Sequence, residues 1–316
     1  MELPERKNET GKTGVPGKGI HSMTPRSPTV RVCALLLSLL CLVLPALPAL
    51  AAGEKTLPTY AVPDRSLASH KALTVRFGRM RLAMTGRLID GTPYLPVSEL
   101  CDMFSDCTVK NAPDGWTLDA PGLSVSGWNG ATYLTVNGRV FYDPHPVAIL
   151  SDGDLYVPLE TAKRLTGFRI VFTPATATVT ISGSFTSPAS GDSVYDPDAL
   201  YWLSRIISAE SRGEPLAGQI AVGNVILNRV RSTAFPNTIW GVIFDRKDGV
   251  QFTPVANGTV YAAPYWISTV AAKICLEGCS LSTSALFFYE PSKATSYWIE
   301  NNRPYLFTVG HHRFFS

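Results

Sequence analysis

An eight-residue pattern occurs twice in the amino-terminal half of the chain, as Asp90-Gly91-Thr92-Pro93-Tyr94-Leu95-Pro96-Val97 and as Asp152-Gly153-Asp154-Leu155-Tyr156-Val157-Pro158-Leu159. In each copy an Asp-Gly turn feeds a short apolar strand that ends at a proline, and a helix-like stretch carrying Glu99 or Glu160 follows. Proline has no N–H for a sheet ladder, so it marks the strand's end. The repeat therefore predicts a strand–helix–strand unit used twice. Around it, over residues 70–183, short β-prone runs such as Leu73 to Phe77, Tyr133 to Val136 and Thr178 to Ile181 are separated by Gly, Asp and Asn turns.

On these residues the region resembles the stalk domain named after the amino-terminal domain of copper amine oxidases. The resemblance implies a module for placement or binding with no chemistry of its own. It does not imply copper oxidase activity, because the copper ligands and quinone-forming tyrosine belong to a large catalytic domain that this chain lacks.

Upstream, Val32 to Leu44 is apolar except for Ser38, follows Arg26 and Arg31, and precedes Pro45, Pro48 and the small-residue stretch Ala49-Leu50-Ala51-Ala52. That layout predicts a secretory signal peptide over residues 1–52, cut after Ala51 or Ala52, with Met23 as the expected start. The run is shorter than the ~20 residues a spanning helix needs, so the membrane is expected as a partner only through this segment if it stays uncleaved. The six basic and three acidic residues before position 52 leave 22 of each sign in the remainder. An electrically balanced, exported chain argues against nucleic acid as a partner. Export also places the four remaining cysteines in an oxidising compartment, where Cys101 with Cys107 and Cys275 with Cys279 are expected as two local disulfides.

Residues 184–195 contain Ser, Gly and Pro without periodicity and read as a linker. Asp196-Pro197-Asp198 then forms a helix start, with Asp196 as N-cap and Pro197 at the first helical position. From there to Ser316 helices dominate until the strand-like segments Ala285 to Tyr289 and Tyr305 to Val309. This segment holds 18 of the 32 aromatic residues, which suits either stacking platforms for sugar rings or a small helical core built from large side chains. The fold class expected for the whole is α+β, with a two-repeat α+β stalk domain followed by a mainly helical domain.

One carboxyl group breaks the pattern of that first helix. Leu200, Leu203, Ile206 and Ile207 form its buried stripe, and the next position on the stripe is Glu210. Burial disfavours the charged form, raises the pKa and keeps a proton available to a general acid. An ion pair with Arg205 or Arg212 at a fraying helix end is the alternative.

Ser208-Ala209-Glu210-Ser211-Arg212-Gly213-Glu214-Pro215, Gly218-Gln219-Ile220-Ala221-Val222, Asn228-Arg229-Val230, Phe235-Pro236-Asn237-Thr238-Ile239, Gln251-Phe252-Thr253-Pro254-Val255, Asn257-Gly258 and Ala285-Leu286-Phe287-Phe288-Tyr289 occur in order over residues 198–316. Together they resemble the spore cortex-lytic or cell wall hydrolase family, which is similar to lysozyme-like lytic transglycosylases. The resemblance implies a lysozyme-like catalytic domain at 196–316 that acts on peptidoglycan glycan strands outside the cytoplasm, with no cofactor and no metal. It implies Glu210 as the catalytic acid, and Ser211, Gln251, Phe252, Tyr289 and Glu290 as substrate-binding residues. The family usually has Asn where this chain has Glu290, so a second carboxylate enters the site and a two-carboxylate hydrolase becomes an alternative. Glu214, between Gly213 and Pro215, is expected to be solvated or capping. His311 and His312 have no ligand pattern beside them and read as surface or packing residues. An amidase and a non-catalytic envelope-binding protein are the competing functions.

Overall fold

The computed structural model describes residues 71–316 apart from 113–114, 148, 152–153, 248 and 295. The expected signal segment and its start therefore lie outside the described residues, as does the turn that opens the second copy of the repeat. The described residues belong to one compact unit.

Its β-rich part has two sheets. Strands β1 (Lys71–Phe77), β2 (Met80–Ile89), β3 (Thr92–Pro96), β9 (Ile149–Ser151), β10 (Asp154–Pro158), β11 (Arg169–Thr173) and β12 (Thr178–Ser182) form a sheet in the order β11-β12-β1-β2-β3-β10-β9. Strands β4 (Thr108–Ala112), β5 (Gly115–Ala120), β6 (Leu123–Gly127), β7 (Tyr133–Val136) and β8 (Arg139–Tyr142) form an antiparallel meander. The two copies of the sequence pattern pair with each other: β3 and β10 run antiparallel with Leu95 opposite Val157. Each passes directly from its terminal proline into a helix, α1 (Val97–Cys101) after Pro96 and α2 (Leu159–Thr166) after Pro158. Alternate apolar side chains such as Leu73, Val75, Leu95, Leu118, Val125, Val157 and Ile181 form one buried core. Asp90-Gly91 and Asn137-Gly138 take positive φ at both central positions, the backbone that tight hairpins require, and connect β2 to β3 and β7 to β8. Cys101 and Cys107 form the expected disulfide between the end of α1 and the approach to β4.

The helical part runs through α3 (Gly191–Val194), α4 (Pro197–Ser211), α5 (Leu216–Arg231), α6 (Ile239–Ile243), α7 (Thr253–Asn257), α8 (Trp266–Leu276) and α9 (Trp298–Asn302). A small sheet, β13 (Phe287–Tyr289), β15 (His312–Phe315) and β14 (Tyr305–Val309), closes it, with β15 in the centre. Asp196 caps α4 as its sequence suggests, its carboxylate accepting from the Ala199 N–H at 2.7 Å. The strand β15 was not anticipated, because its His-Arg-Phe-Phe run is too short to show alternation by itself.

Cys275 and Cys279, the second expected disulfide, are free thiols. The helix geometry explains the correction. Cys275 is turned into the α5–α8 interface, where its Sγ lies 3.4 Å from the Ile220 carbonyl, while the chain leaves α8 through Gly278 at φ 90°. The carbonyl of Cys279 is held by Asn224 Nδ2 at 2.8 Å.

The segment expected as a linker lies along the meander. Gly191 N–H donates to the Asn137 carbonyl at 2.8 Å, and a Cβ at Gly191 would meet the Gly138 carbonyl at 2.7 Å, so only glycine fits this approach. Tyr195 is buried, its hydroxyl accepting from Val140 N–H at 3.0 Å and donating to Glu277 at 2.8 Å. Arg139 on β8 meets the same carboxylate through Nε at 2.8 Å and a terminal nitrogen at 2.6 Å. Burial alone would raise the Glu277 pKa, but the bonds from Arg139 and Tyr195 outweigh it and hold the group below the usual carboxylate range. Tyr133 and Val140 of the meander belong to the same apolar core as Leu203, Ile220 and Ile274 of the helices.

The two parts should therefore unfold together. Arg139→Ala removes the bidentate partner of the Glu277 carboxylate, only 6% exposed, leaving it the Tyr195 hydroxyl and Arg164 at 3.7 Å, and should cost about 2 kcal/mol. Urea unfolding of the full chain, followed by tyrosine and tryptophan fluorescence, is expected to show one transition moved to lower urea. An unmoved midpoint would mean that the contact contributes nothing.

Candidate active site

Helix α4 carries the site because its apolar stripe runs out one turn early. Leu203, Ile206 and Ile207 are fully buried, and Glu210 continues their line at the last turn, where the core opens into a cleft. The cleft is about 700 Å³, large enough for a small ligand or a stretch of polymer. Ala209 and Glu210 of α4, Arg229 of α5, the 251–254 segment, the β13 strand with Glu290, and His312 of β15 all line it.

Among the described residues Glu210 has no hydrogen-bond or ion-pair partner, so the alternative pairing with Arg205 or Arg212 is not formed. Burial alone pushes its pKa up to about 7. Near neutrality such a group holds its proton part of the time, which is the state that can donate.

Of the other residues expected in the site, Gln251, Phe252, Tyr289 and Glu290 line the same cleft as Glu210. Ser211 does not. It is buried, and its hydroxyl donates to the Ile207 carbonyl at 2.7 Å, the back-bonding that a serine in the last turn of a helix readily makes. Tyr289 donates its phenol to Glu300 at 2.5 Å. Glu290 is bound by Lys293 at 2.7 Å and by the Ser292 hydroxyl at 2.6 Å, which hold its pKa below the ordinary value. The cleft thus contains one carboxyl group that tends to stay protonated and one that stays ionised.

Glu214 corrects the expectation of a solvated helix exit. Its side chain is 7% exposed and reaches across to the turn between β14 and β15, accepting from His311 N–H at 2.8 Å and meeting His311 Nδ1 at 3.0 Å. Burial pushes its pKa up, but the two bonds from His311 bring it below the usual range. Gly310, at φ 57°, closes the turn, and any Cβ there would collide with the Glu214 carboxylate.

Two cleft residues were missed as site residues. Arg229, within the Asn228-Arg229-Val230 match, is buried, donates from Nε to the Leu286 carbonyl at 2.8 Å and from a terminal nitrogen to Gln251 at 3.4 Å. Its guanidinium sits over Phe235, Phe252 and Phe287, and burial lowers its pKa to about 10, which leaves it a cation. His312 packs, as one of the two expectations for it had it, buried against Phe288, and it also lines the cleft. Its two-residue spacing from the buried Phe314 was the signal available in the sequence. No group of three or more His, Cys, Asp or Glu residues is placed to hold a metal among the described residues.

Residues 213–315 match the family model described as Cell Wall Hydrolase. Glu210 lies just upstream of the matched span, with Ser211 and Arg212 between. At the level of individual proteins, the chain is 40% identical over 120 residues to the spore cortex-lytic enzyme of Bacillus cereus, covering 38% of this chain and 45% of that one. It is 40% identical over 112 residues to the spore cortex-lytic enzyme of Bacillus subtilis, covering 35% of each. The chain thus spans less than half the length of these curated relatives. A solved structure titled as the catalytic domain of the germination-specific lytic transglycosylase SleB from Bacillus anthracis is 39% identical, with 39% of this chain and 97% of that one covered, at a TM-score of 0.36.

The Glu210 environment makes a signed prediction. A carboxyl whose pKa is about 7 when folded, against 4.5 when unfolded, binds more protons in the native state between those values. Stability therefore falls as pH rises through that window, by about 3 kcal/mol at its top, and is level above it. Glu210→Gln carries no charge and escapes this loss. The melting temperature of the variant should exceed that of the wild type by an amount that grows from pH 5 to pH 8, and a constant difference would show that Glu210 titrates normally.

Proposed function

We propose that the carboxy-terminal domain cleaves peptidoglycan glycan strands between N-acetylmuramic acid and N-acetylglucosamine, with Glu210 as the acid and then the base. One observation carries this reading: a carboxyl without a partner among the described residues, kept protonated part of the time near neutrality by burial, in the wall of an open cleft. In that state Glu210 donates to the oxygen linking the two sugars, and the bond from that oxygen to the muramic C1 breaks. The new carboxylate then accepts the proton of the muramic C6 hydroxyl as its oxygen bonds to C1, which returns Glu210 to the acid and closes a 1,6-anhydro ring. Gln251, Phe252 and Tyr289 supply the polar and aromatic contacts that hold a sugar in place, and Arg229 fixes the Gln251 side chain. The names of the matched relatives, spore cortex-lytic enzymes, agree with lysis of peptidoglycan.

The same reading makes the chain an exported, extracytoplasmic protein. Its β-rich part is then a stalk of the copper amine oxidase amino-terminal type that places the cleft. A spore cortex substrate is the corresponding choice of wall.

A second reading has its own observation. Glu290 is an ionised carboxylate lining the same cleft, the state needed to activate water or attack a sugar carbon, so a two-carboxylate hydrolase would use Glu210 as acid and Glu290 as its partner.

Mass spectrometry of fragments released from purified vegetative and cortex peptidoglycan decides between them. Wild type is expected to release 1,6-anhydro-muropeptides, and Glu210→Gln at least about a hundredfold less, the lower bound for removal of a general acid. Reducing-end sugars that vanish in Glu290→Gln would establish the hydrolase. Freed stem peptides would replace both readings with an amidase, and no release from any preparation would leave a binding protein.

A further inference from the structure

His312 stands 5% exposed in a cleft open to solvent, and its Nδ1 is enclosed with no hydrogen-bond partner among the described residues. A buried polar atom without a partner costs about 1–3 kcal/mol, so its retention calls for a physical reason. The ring does not drift into this position. It packs edge-on against Phe288, with centroids 5.3 Å apart, and β15 is aligned by its pairing to both β13 and β14. The preceding residue is held by the Glu214 carboxylate through both its backbone N–H and its ring, across a turn whose Gly310 admits no side chain. Three separate features, the carboxylate, the glycine and the central strand, thus fix one imidazole in the wall of the cleft that contains Glu210.

The protonation of the ring follows from its surroundings. Burial lowers its pKa, the Glu214 and Glu290 carboxylates oppose this, Lys293 and His311 add to it, and the balance keeps the ring neutral near pH 7. A neutral imidazole has one donor and one acceptor. An enclosed lone pair is tolerated better than an enclosed N–H, so the bare nitrogen is Nδ1 and the proton is on Nε2. With Nδ1 enclosed, Nε2 is the nitrogen left to meet a ligand.

We infer that His312 is a substrate-contacting residue whose Nε2–H donates to an uncharged oxygen, a hydroxyl or an acetamide carbonyl, of the sugar bound beside Glu210. Glu214 is a positioning residue that acts through the His311 turn. This rests on the reading that the cleft takes glycan, but not on whether the bond is cleaved by transglycosylation or hydrolysis.

The test uses two substitutions that separate the ring nitrogens. The amide nitrogen of Gln can reach the place of Nε2, whereas that of Asn reaches only the place of Nδ1. In the full chain acting on a soluble peptidoglycan tetrasaccharide, His312→Asn should raise KM about tenfold, the value of one lost hydrogen bond to a neutral group, with a smaller change in kcat. His312→Gln should stay within about threefold of wild type, and Glu214→Gln should fall between them. A purely structural histidine would instead give equal effects for Asn and Gln. The same affinities measured calorimetrically in the Glu210→Gln background separate the two readings. If wild type binds the tetrasaccharide without cleaving it, the lytic reading fails while loss of binding in His312→Asn still supports the contact. If wild type cleaves and His312→Asn keeps its KM, the contact is overturned alone. Should His312→Asn fail to fold, nitrogen NMR of the His312 ring in Glu210→Gln decides: a shift of Nε2 on saturation with tetrasaccharide supports the contact, and an unmoved signal overturns it.

Discussion

Helix α5 is buried along most of its length while carrying polar side chains, and the helical domain is arranged around satisfying them. Gln219 accepts from the Ser268 hydroxyl at 2.7 Å, Asn224 holds the Cys279 carbonyl and the Leu281 N–H, and Asn228 holds the Ser282 and Ala285 carbonyls at 2.9 Å. The first of these bonds joins α5 to α8, and the Asn224 and Asn228 bonds tie an irregular segment to α5, so a chain stretch without a ladder of its own still has a fixed path. Gly223, in the middle of the same helix, lets α4 and α8 approach at once, since a Cβ would meet Ile207 at 2.8 Å and the Cys275 sulfur at 2.6 Å. The position of β13, and with it one wall of the cleft, follows from this helix.

Three glutamates near the cleft show how one side chain type acquires different properties. Glu210 is half-buried without a partner among the described residues and tends to keep its proton, Glu214 has its side chain enclosed with two donors and loses it, and Glu290 is bound by a lysine and a hydroxyl and loses it too. Acid chemistry near neutrality is open only to the first. The difference lies wholly in what surrounds each group, and in particular in the hydrogen-bond donors aimed at the other two.

The helix carrying Glu210 was legible because a period of 3.6 and an Asp-Pro start are local signals, and the carboxyl stood out as an exception on an otherwise apolar stripe. The passages from strand into helix after Pro96 and Pro158 were legible for a similar reason, since punctuation by proline is local, whereas the pairing of Leu95 with Val157 is a long-range contact that no local signal carries. Ser211 was misplaced because adjacency to a candidate acid says nothing about the direction in which a helical side chain points. Glu214, His312 and the free Cys275 were hidden because each is defined by a contact with a distant part of the chain, the β14–β15 turn, the Phe288 ring and the α5 backbone respectively. The 184–195 segment reads as a tether for the same reason, as its partners in the β7–β8 turn and in β8 are about fifty residues away in the chain.

The joint at Glu277 changes how the molecule can search a surface. A catalytic cleft on a flexible tether samples a volume, whereas a cleft sharing a core with its neighbouring sheets has one attitude relative to them. Whatever surface the β-rich part rests upon, the opening beside Glu210 faces it at a set angle. If the proposed cleavage of glycan is its activity, reaching a new bond requires the whole body to roll or step, which makes successive cuts a matter of geometry along the surface rather than of chance encounter.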